Sequence, residues 1–119
     1  GSSNSEVTKP GKKETVFGVL EVKLLEAIIQ HETSKFSTMD PYVKIKFSNQ
    51  SFQSQVIKNG GKNPKFNDSN NFIVNSYFKT LGRCLEVELM DRNIASDDVI
   101  GYGIIDLDPY LNLLQVKDP

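Results

Sequence analysis

Acidic residues stand beside two alternating stretches of this chain, where carboxylates can be held rigidly. Asp40 directly precedes Pro41, whose ring fixes its own φ and restrains the residue before it. The Asp40 carboxylate is therefore expected at a rigid junction between a loop and a strand. Asp91, Asp97 and Asp98 form a second acidic stretch, which also follows an alternating segment. Carboxylate oxygens suit hard metal ions, so these two loops are the first candidates for a metal site.

The segment after Asp40 has the alternation of a half-buried β-strand. In residues 42–47 the apolar side chains fall on one face, because successive side chains of a strand point to opposite sides. The opposite face carries Tyr42, Lys44 and Lys46. The pattern predicts a strand with a basic outer face that leads directly away from Asp40.

The bulk composition sets limits on function. A chain of 119 residues fits a single small domain, and 14 basic against 15 acidic residues do not favour a nucleic-acid partner. No apolar run approaches the length of a membrane-spanning helix, which is roughly 18 residues or more. Cys84 is the only cysteine, which rules out an intrachain disulfide.

Further alternating segments predict an all-β fold. Strands are expected over residues 16–29, 42–47, 52–57, 84–90 and 101–107, with a short strand near 66 and 72–74. Residues 110–114 fit either a helical turn or an edge strand. Short strands separated by turn signals indicate an antiparallel β-sandwich. Residues 1–14 are expected to be a disordered leader with a tag remnant, and residues 15–119 the sandwich.

Four motifs in order connect this pattern to a known family. They are Met39-Asp40-Pro41-Tyr42-Val43-Lys44, Gly61-Lys62-Asn63-Pro64-Lys65-Phe66-Asn67, the strand that runs into Asp91, and Asp97-Asp98-Val99-Ile100-Gly101. Together they resemble the C2 domain, a calcium- and phospholipid-binding β-sandwich, over Val16 to Leu107. The resemblance implies two four-stranded sheets whose loops at one end hold calcium and touch a membrane.

The resemblance also implies a set of calcium ligands. Asp40 matches the ligand before Pro-Tyr, Asp91 the first ligand of the later loop, and Asp98 the last. Asn93 stands where that loop usually has a second aspartate, and Glu32 takes the place of the other aspartate of the first loop. The later loop is also shorter than is common in the family, so Asp97 and Asp98 compete for one role.

Asn93 has a predicted cost for calcium affinity. An amide oxygen can coordinate calcium but does not offset its charge. The missing charge is worth about 4 kcal/mol at roughly 4 Å with an effective dielectric near 20, and less in a solvated loop. Each carboxylate also has an ordinary alternative role, since Asp40 can cap its turn and Asp97 and Asp98 can be solvated turn residues.

The outer face suggests a second lipid contact. Lys44 and Lys46 point outward together, and the resemblance implies that basic residues on this sheet can bind phosphoinositide head groups. Lysine attracts anionic lipid with about 1 kcal/mol each near a membrane surface. A plain solvated face is the alternative. Phe36 and Ile94 are apolar residues at the loop tips, which could enter the acyl boundary or simply cover the calcium site.

Enzyme activity is not expected. No phosphate-binding glycine loop, zinc-ligand spacing or catalytic triad signature is present in the sequence. Cys84 is expected to pack in the core, with no histidine and carboxylate arranged to activate it as a nucleophile.

The predicted function is therefore a cytoplasmic module that associates peripherally with anionic phospholipid membranes in a calcium-dependent way. The alternatives are a calcium-independent protein-interaction scaffold and calcium-independent lipid binding through Lys44 and Lys46. Only six or seven strands are counted, so either the chain is cut short or the leader supplies a strand. An open sheet edge would permit pairing with a second copy or another protein.

Overall fold

The computed structural model of the chain describes residues 15–31, 38–77, 82–113 and 115–117. These residues form two antiparallel sheets. The strands are β1 (Thr15–Glu26), β2 (Pro41–Phe47), β3 (Gln50–Gln53), β4 (Lys65–Tyr77), β5 (Cys84–Asp91), β6 (Asp98–Asp106) and β7 (Gln115–Lys117). The predicted antiparallel β-sandwich is confirmed. The leader expected over residues 1–14 lies outside the described residues, as do Glu32 and Phe36.

The two sheets differ in size over the described residues. One has the strand order β4-β1-β7, and the other has the order β3-β2-β5-β6. Strand β7 pairs only with Thr15–Phe17, so the rest of β1 has no strand on that side within the part of the chain that the structure describes. The four-stranded sheet carries both candidate loops, because β2 follows the first and the second joins β5 to β6.

The hairpin of β2 and β3 forms as its sequence predicts. Ser48 and Asn49 make the turn, with Ser48 in the left-handed region at φ 55°. Strand β3 ends at Gln53 and is shorter than expected. After it, Ser54 is buried, and its Oγ accepts a hydrogen bond from the Val43 N–H at 2.9 Å. That bond fixes the start of the loop that follows β3 against β2.

Strand β4 is much longer than predicted. The sequence favours two short apolar pieces near residues 66 and 72–74, whereas the structure has a continuous strand over Lys65–Tyr77. The polar residues between them pair in register with β1, from Leu24 opposite Asp68 to Leu20 opposite Phe72. These polar residues have a weak intrinsic preference for strands, but their pairing with the long strand β1 outweighs it.

The larger of two buried apolar clusters lies between the sheets. Its buried members come from both sheets and include Val16, Val43, Ile45, Phe47, Phe66, Phe72, Val74, Leu85 and Leu107. The rings of Phe47 and Phe72 meet across the core with centroids 5.8 Å apart. The chain thus buries the apolar faces that the alternation predicts.

Three local expectations need correction or completion. Cys84 is exposed, because it shares the outer face of β5 with Glu86 and Glu88 and does not point inward. Strand β6 begins at Asp98, three residues before the predicted start, and its pairing with β5 is irregular between Leu89 and Met90. The segment after Leu107 is a 3₁₀ helix, Asp108–Leu113, which settles the choice between a turn and a strand.

Candidate functional site

The pairing of β2 with β5 brings the two predicted acidic loops together. Pro41 lies opposite Asp91 at the end of the paired region. The Asp40 N–H donates to Asp91 Oδ1 at 2.8 Å, and the Arg92 N–H donates to the Asp40 carbonyl at 2.9 Å. These two bonds run in opposite directions between the same two segments. Asp40 and Asp91 are therefore held side by side, as the motif pattern predicts.

Asp91 is a buried carboxylate. Asp91 is 1% exposed, and acidic residues are rarely buried to this degree unless other groups pair with the carboxylate. The hydrogen bond from the Asp40 N–H helps to offset the loss of water around this carboxylate. Asp91 thus supports the loop before β2 through its side chain.

The loop between β3 and β4 holds the Asp40 carboxylate. The Asn59 N–H donates to Asp40 Oδ1 at 2.7 Å. Asn59 has φ 58° and Gly61 has φ 66°, both in the left-handed region. A Cβ at Gly60 would lie 2.9 Å from the Ile57 carbonyl oxygen, which is too close for any other residue. The Asn59-Gly60-Gly61 sequence is therefore what allows this loop to reach Asp40.

A small apolar cluster lies beneath the site. Its buried members are Ile29, Met39 and Ile100, with Leu89 packed against them. Met39 is completely buried and directly precedes Asp40. Packing of Met39 therefore fixes the backbone from which the Asp40 carboxylate extends.

Asp97 has partners that turn it toward β2. Its Oδ2 accepts a hydrogen bond from the Tyr42 O–H at 2.5 Å, and its Oδ1 accepts one from the Asn93 N–H at 3.0 Å. The Arg92 Nε lies 3.3 Å from the same Oδ2. The hydrogen bond from Tyr42, followed by that from the Asn93 N–H, lowers the pKa of Asp97 below its ordinary value. Burial and the neighbouring carboxylate raise the pKa of Tyr42.

Asp98 has a different environment. It lies opposite Asp91 in the pairing of β5 with β6. Its Oδ2 accepts a hydrogen bond from the Asn93 side-chain amide at 2.9 Å, and the residue is exposed. An aspartate at position 93 would place another negative charge at this spot, so the amide relieves repulsion that the usual residue would add.

The structure places most of the predicted metal ligands at one end of the four-stranded sheet. Asp40, Asp91, Asn93 and Asp98 lie around the ends of β2, β5 and β6, while Asp97 is turned toward Tyr42. Glu32 lies outside the described residues. Among the residues described, no three histidine, cysteine or acidic side chains are grouped closely enough to hold a metal ion as they stand.

The donor chemistry nevertheless fits calcium. The side chains that converge here offer carboxylate and amide oxygens, which calcium prefers over nitrogen or sulfur. The Asp40 carboxylate accepts a backbone N–H at Oδ1, and a carboxylate has further acceptor positions that suit an ion. Asp40, Asp91 and Asp98, with Asn93, are the residues that would hold the ion.

The lysines of the outer face lie opposite acidic residues. Lys44 pairs with Glu88 and Lys46 with Glu86 in the register of β2 and β5. Opposite charges at directly facing positions attract each other and reduce the field available to an anionic lipid. On β6, the Tyr102 O–H donates to Glu86 at 3.4 Å. The outer face predicted to be basic therefore carries lysines on β2 and glutamates beside them on β5.

Sequence reasoning missed two features of this region. Tyr42 is 2% exposed although alternation places it on the outer face, because the Arg92 guanidinium lies 5.0 Å above its ring. The role of Glu86 and Glu88 depends on the pairing of β2 with β5, which links residues far apart in the chain. The alternation of residues 84–90 could have indicated an acidic outer row, but not which strand lies beside it.

Comparison with known proteins decides the family. The family model for the C2 domain matches residues 18–118. This chain belongs to the C2 domain family. The shape agrees, since calcium-bound Extended-Synaptotagmin 2, in a structure of two of its C2 domains, is 31% identical with a TM-score of 0.64. That match covers 82% of this chain and 36% of that chain.

Two further likenesses place this C2 domain among its relatives. Elicitor-responsive protein 1 of Oryza sativa subsp. japonica is 33% identical over 100 residues, which cover 81% of this chain and 63% of that protein. Human GIVD cytosolic phospholipase A2 shares the fold, with a TM-score of 0.66 at 22% identity, but the match covers only 14% of that enzyme's chain. The chain thus spans less than two thirds of each of these relatives. In these two relatives, the part that this chain matches is one portion of a longer protein.

Proposed function

We propose that this C2 domain is a calcium-dependent module for docking on anionic phospholipid membranes. The observation that carries the proposal is the hydrogen bond from the Asp40 N–H to the buried Asp91 carboxylate, 2.8 Å long. It fixes the buried Asp91 carboxylate against the backbone of the first acidic loop without any ion. The calcium-bound state of Extended-Synaptotagmin 2, a related structure, supports the same chemistry here.

The described residues perform the docking in two steps. Asp40, Asp91 and Asp98, with Asn93, present oxygens of mostly negative charge at one end of the sandwich, which repel an anionic surface. Bound calcium would supply the positive charge that offsets these carboxylates and attracts lipid phosphate. Ile94 is exposed in the same loop and is placed to enter the edge of the acyl region once the loop approaches the membrane.

Peripheral attachment is the form of membrane association that we propose, in a protein located in the cytoplasm. Among the residues that the structure describes, no helix combines the length and apolar character needed to cross a membrane. Docking by loops would be reversible and would follow the calcium concentration.

A calcium titration followed by thermal melting tests the proposal. A ligand at about 100 times its Kd stabilises the folded state by about 2.7 kcal/mol, so saturating calcium should raise the Tm measurably above the value in chelator. The double variant Asp40→Asn with Asp91→Asn should lose this rise. The matched control is Asp106→Asn with Asp108→Asn, which removes two charges near the far end of β6 and should keep it.

No rise in Tm at millimolar calcium in the unsubstituted protein would refute the calcium dependence. A rise that persists in the Asp40→Asn, Asp91→Asn variant would show that calcium binds elsewhere. Either result would turn attention to the other faces of the domain.

A calcium-independent protein-interaction scaffold is the second candidate. The observation that favours it is the outer face of the four-stranded sheet, where Tyr102 and Ile104 are 58% and 60% exposed beside the opposed lysines and glutamates. Such a face suits a protein with apolar and charged groups better than it suits a uniformly anionic surface. Among the described residues, no strand pairs with that side of β1 after Phe17, so these backbone groups could bind a strand of another protein or of a second copy.

The two candidates differ in their response to chelator and to salt. Docking through the acidic loops needs calcium, whereas binding through the outer face or the β1 edge does not. Lipid binding through Lys44 and Lys46 would also persist in chelator, but it would weaken sharply as salt screens the charges. Vesicle and protein binding measured in calcium, in chelator and in high salt therefore separate the three.

A further inference from the structure

Three side chains form a compact contact at the rim of the candidate site. The Tyr42 O–H donates to Asp97 Oδ2, and the Arg92 Nε approaches the same oxygen at 3.3 Å. The Arg92 guanidinium also lies over the Tyr42 ring, with Cζ 5.0 Å from the centroid. We call Tyr42, Arg92 and Asp97 the rim clasp. It joins the first residues of β2 to both ends of the loop that connects β5 and β6.

Both oxygens of the Asp97 carboxylate are engaged by this chain's own donors. Oδ2 takes the Tyr42 hydroxyl and faces Arg92, while Oδ1 takes the Asn93 N–H. The Asp97 side chain is 23% exposed, so these bonds are partly shielded from water. Coordination of calcium by Asp97 would require it to give up the hydroxyl and to leave the Arg92 charge beside a divalent cation.

Asp98 has the opposite properties. It is exposed, it lies across from Asp91, and the Asn93 amide is the partner that the structure shows for its carboxylate. A carboxylate held by one neutral amide exchanges partners more readily than one held by a hydroxyl, a backbone N–H and a guanidinium. The neighbouring aspartates therefore have separate tasks.

We propose that Asp97 is a positioning residue and not a calcium ligand. Through the rim clasp it holds the loop of residues 92–97 against the start of β2, and this sets Asn93 and Asp98 beside Asp40 and Asp91. The calcium part of this inference rests on the function proposed above, whereas the clasp itself exists without calcium.

The clasp is tested first in chelator by a double-mutant cycle. Tyr42→Phe removes the hydroxyl but keeps the ring under Arg92, and Asp97→Ala removes both oxygens that accept from Tyr42 and Asn93. Each should lower the Tm by about 3 to 6 °C, and the double variant should lower it by little more than Asp97→Ala alone, because the bond that Tyr42→Phe removes is then already lost. Additive effects would overturn the clasp.

The positioning role is tested by calcium affinity, which a purely structural contact would not change. If Asp97 positions the loop, Tyr42→Phe and Asp97→Ala both raise the calcium Kd, each by about threefold to tenfold, and the double variant raises it no further than Asp97→Ala alone. Asp98→Asn, which removes a proposed ligand, should raise it by more. If Asp97 were a ligand, Asp97→Ala would raise the Kd while Tyr42→Phe would leave it unchanged or lower it by freeing the carboxylate.

The remaining outcomes are also decisive. An unchanged calcium Kd in both variants would overturn the positioning role and leave the clasp as a purely structural contact. An unsubstituted protein that binds no calcium would refute the proposed function, and with it the calcium part of this inference. The double-mutant cycle in chelator would then still decide whether the clasp holds the loop.

Discussion

The buried carboxylate of Asp91 gives the sharpest test of how the site is preorganised. We predict that Asp91→Ala destabilises the domain much more than Asp91→Asn does, with both measured in chelator. Both variants remove the charge, so any relief of repulsion or of charge burial is shared by them. Asparagine keeps an oxygen in reach of the Asp40 N–H, whereas alanine leaves that donor without its acceptor.

The size of the difference follows from the hydrogen bond. A polar group that loses its partner without gaining water costs about 1 to 3 kcal/mol, and the Asp91 residue is only 1% exposed. The volume lost on truncation to alanine adds to this cost. We therefore expect the Asp91→Asn and Asp91→Ala variants to differ by about 2 kcal/mol in free energy of unfolding, or roughly 1 M in urea midpoint.

Urea unfolding followed by circular dichroism measures this difference. The matched control is the pair Asp98→Asn and Asp98→Ala, since Asp98 is exposed and its carboxylate accepts from the Asn93 side chain. These two variants should differ by no more than about 0.5 kcal/mol. Equal stability of Asp91→Asn and Asp91→Ala would refute the reasoning, because Asp91 would then not be what holds the Asp40 backbone.

Three further predictions concern the surroundings of the site. Met39→Ala should lower the free energy of unfolding, measured by urea denaturation, by about 2 to 5 kcal/mol, since Met39 is fully buried beneath Asp40. A loss of less than about 1 kcal/mol would contradict this packing. The double variant Glu86→Gln with Glu88→Gln should bind anionic vesicles about tenfold more strongly in chelator and low salt, because it removes the negative charges opposite Lys44 and Lys46. Co-sedimentation with vesicles measures this binding. An unchanged result would mean that the glutamates do not screen the lysines. Hydrogen bonds from Asn63 and then Lys65 lower the pKa of Glu26. Glu26 therefore contributes stability above its unfolded pKa, about 4.3, and loses it as the pH falls through the lower folded value. The Tm gap to Glu26→Gln should be largest near about pH 7 and shrink in acid, and a gap independent of pH would contradict the assignment.

Much of this fold follows from local alternation. The apolar faces of residues 42–47 and 84–90 predict which side chains enter the core, and the structure places Val43, Ile45 and Leu85 there. The same alternation places Cys84 on the outer face with Glu86, as the structure shows. The expectation that Cys84 packs in the core was wrong because it followed from the apolar character of cysteine and not from its position in the strand. The central part of β4 was missed because its polar residues carry no local strand signal, and only pairing with β1 makes them a strand.

The family resemblance supplies a set of candidate ligands but not the separate contacts of Asp97 and Asp98. The resemblance places Asp40 and Asp91 in two loops at one end of the sandwich, and the structure joins these two segments by hydrogen bonds. The division between Asp97 and Asp98 depends on Tyr42 and Arg92, which reach Asp97 only when β2 lies beside β5. The opposition of Lys44 to Glu88 depends on the same non-local register. Sequence periodicity describes one strand at a time, so contacts between strands lie beyond it.

Calcium-dependent binding to anionic vesicles tests the central claim most directly. Vesicles of phosphatidylcholine with phosphatidylserine should pull down the unsubstituted domain in calcium and release it in chelator. The Asp40→Asn, Asp91→Asn variant should remain in the supernatant in both conditions. Binding that is equally strong in calcium and chelator, or absent in both, would contradict a calcium-dependent docking module.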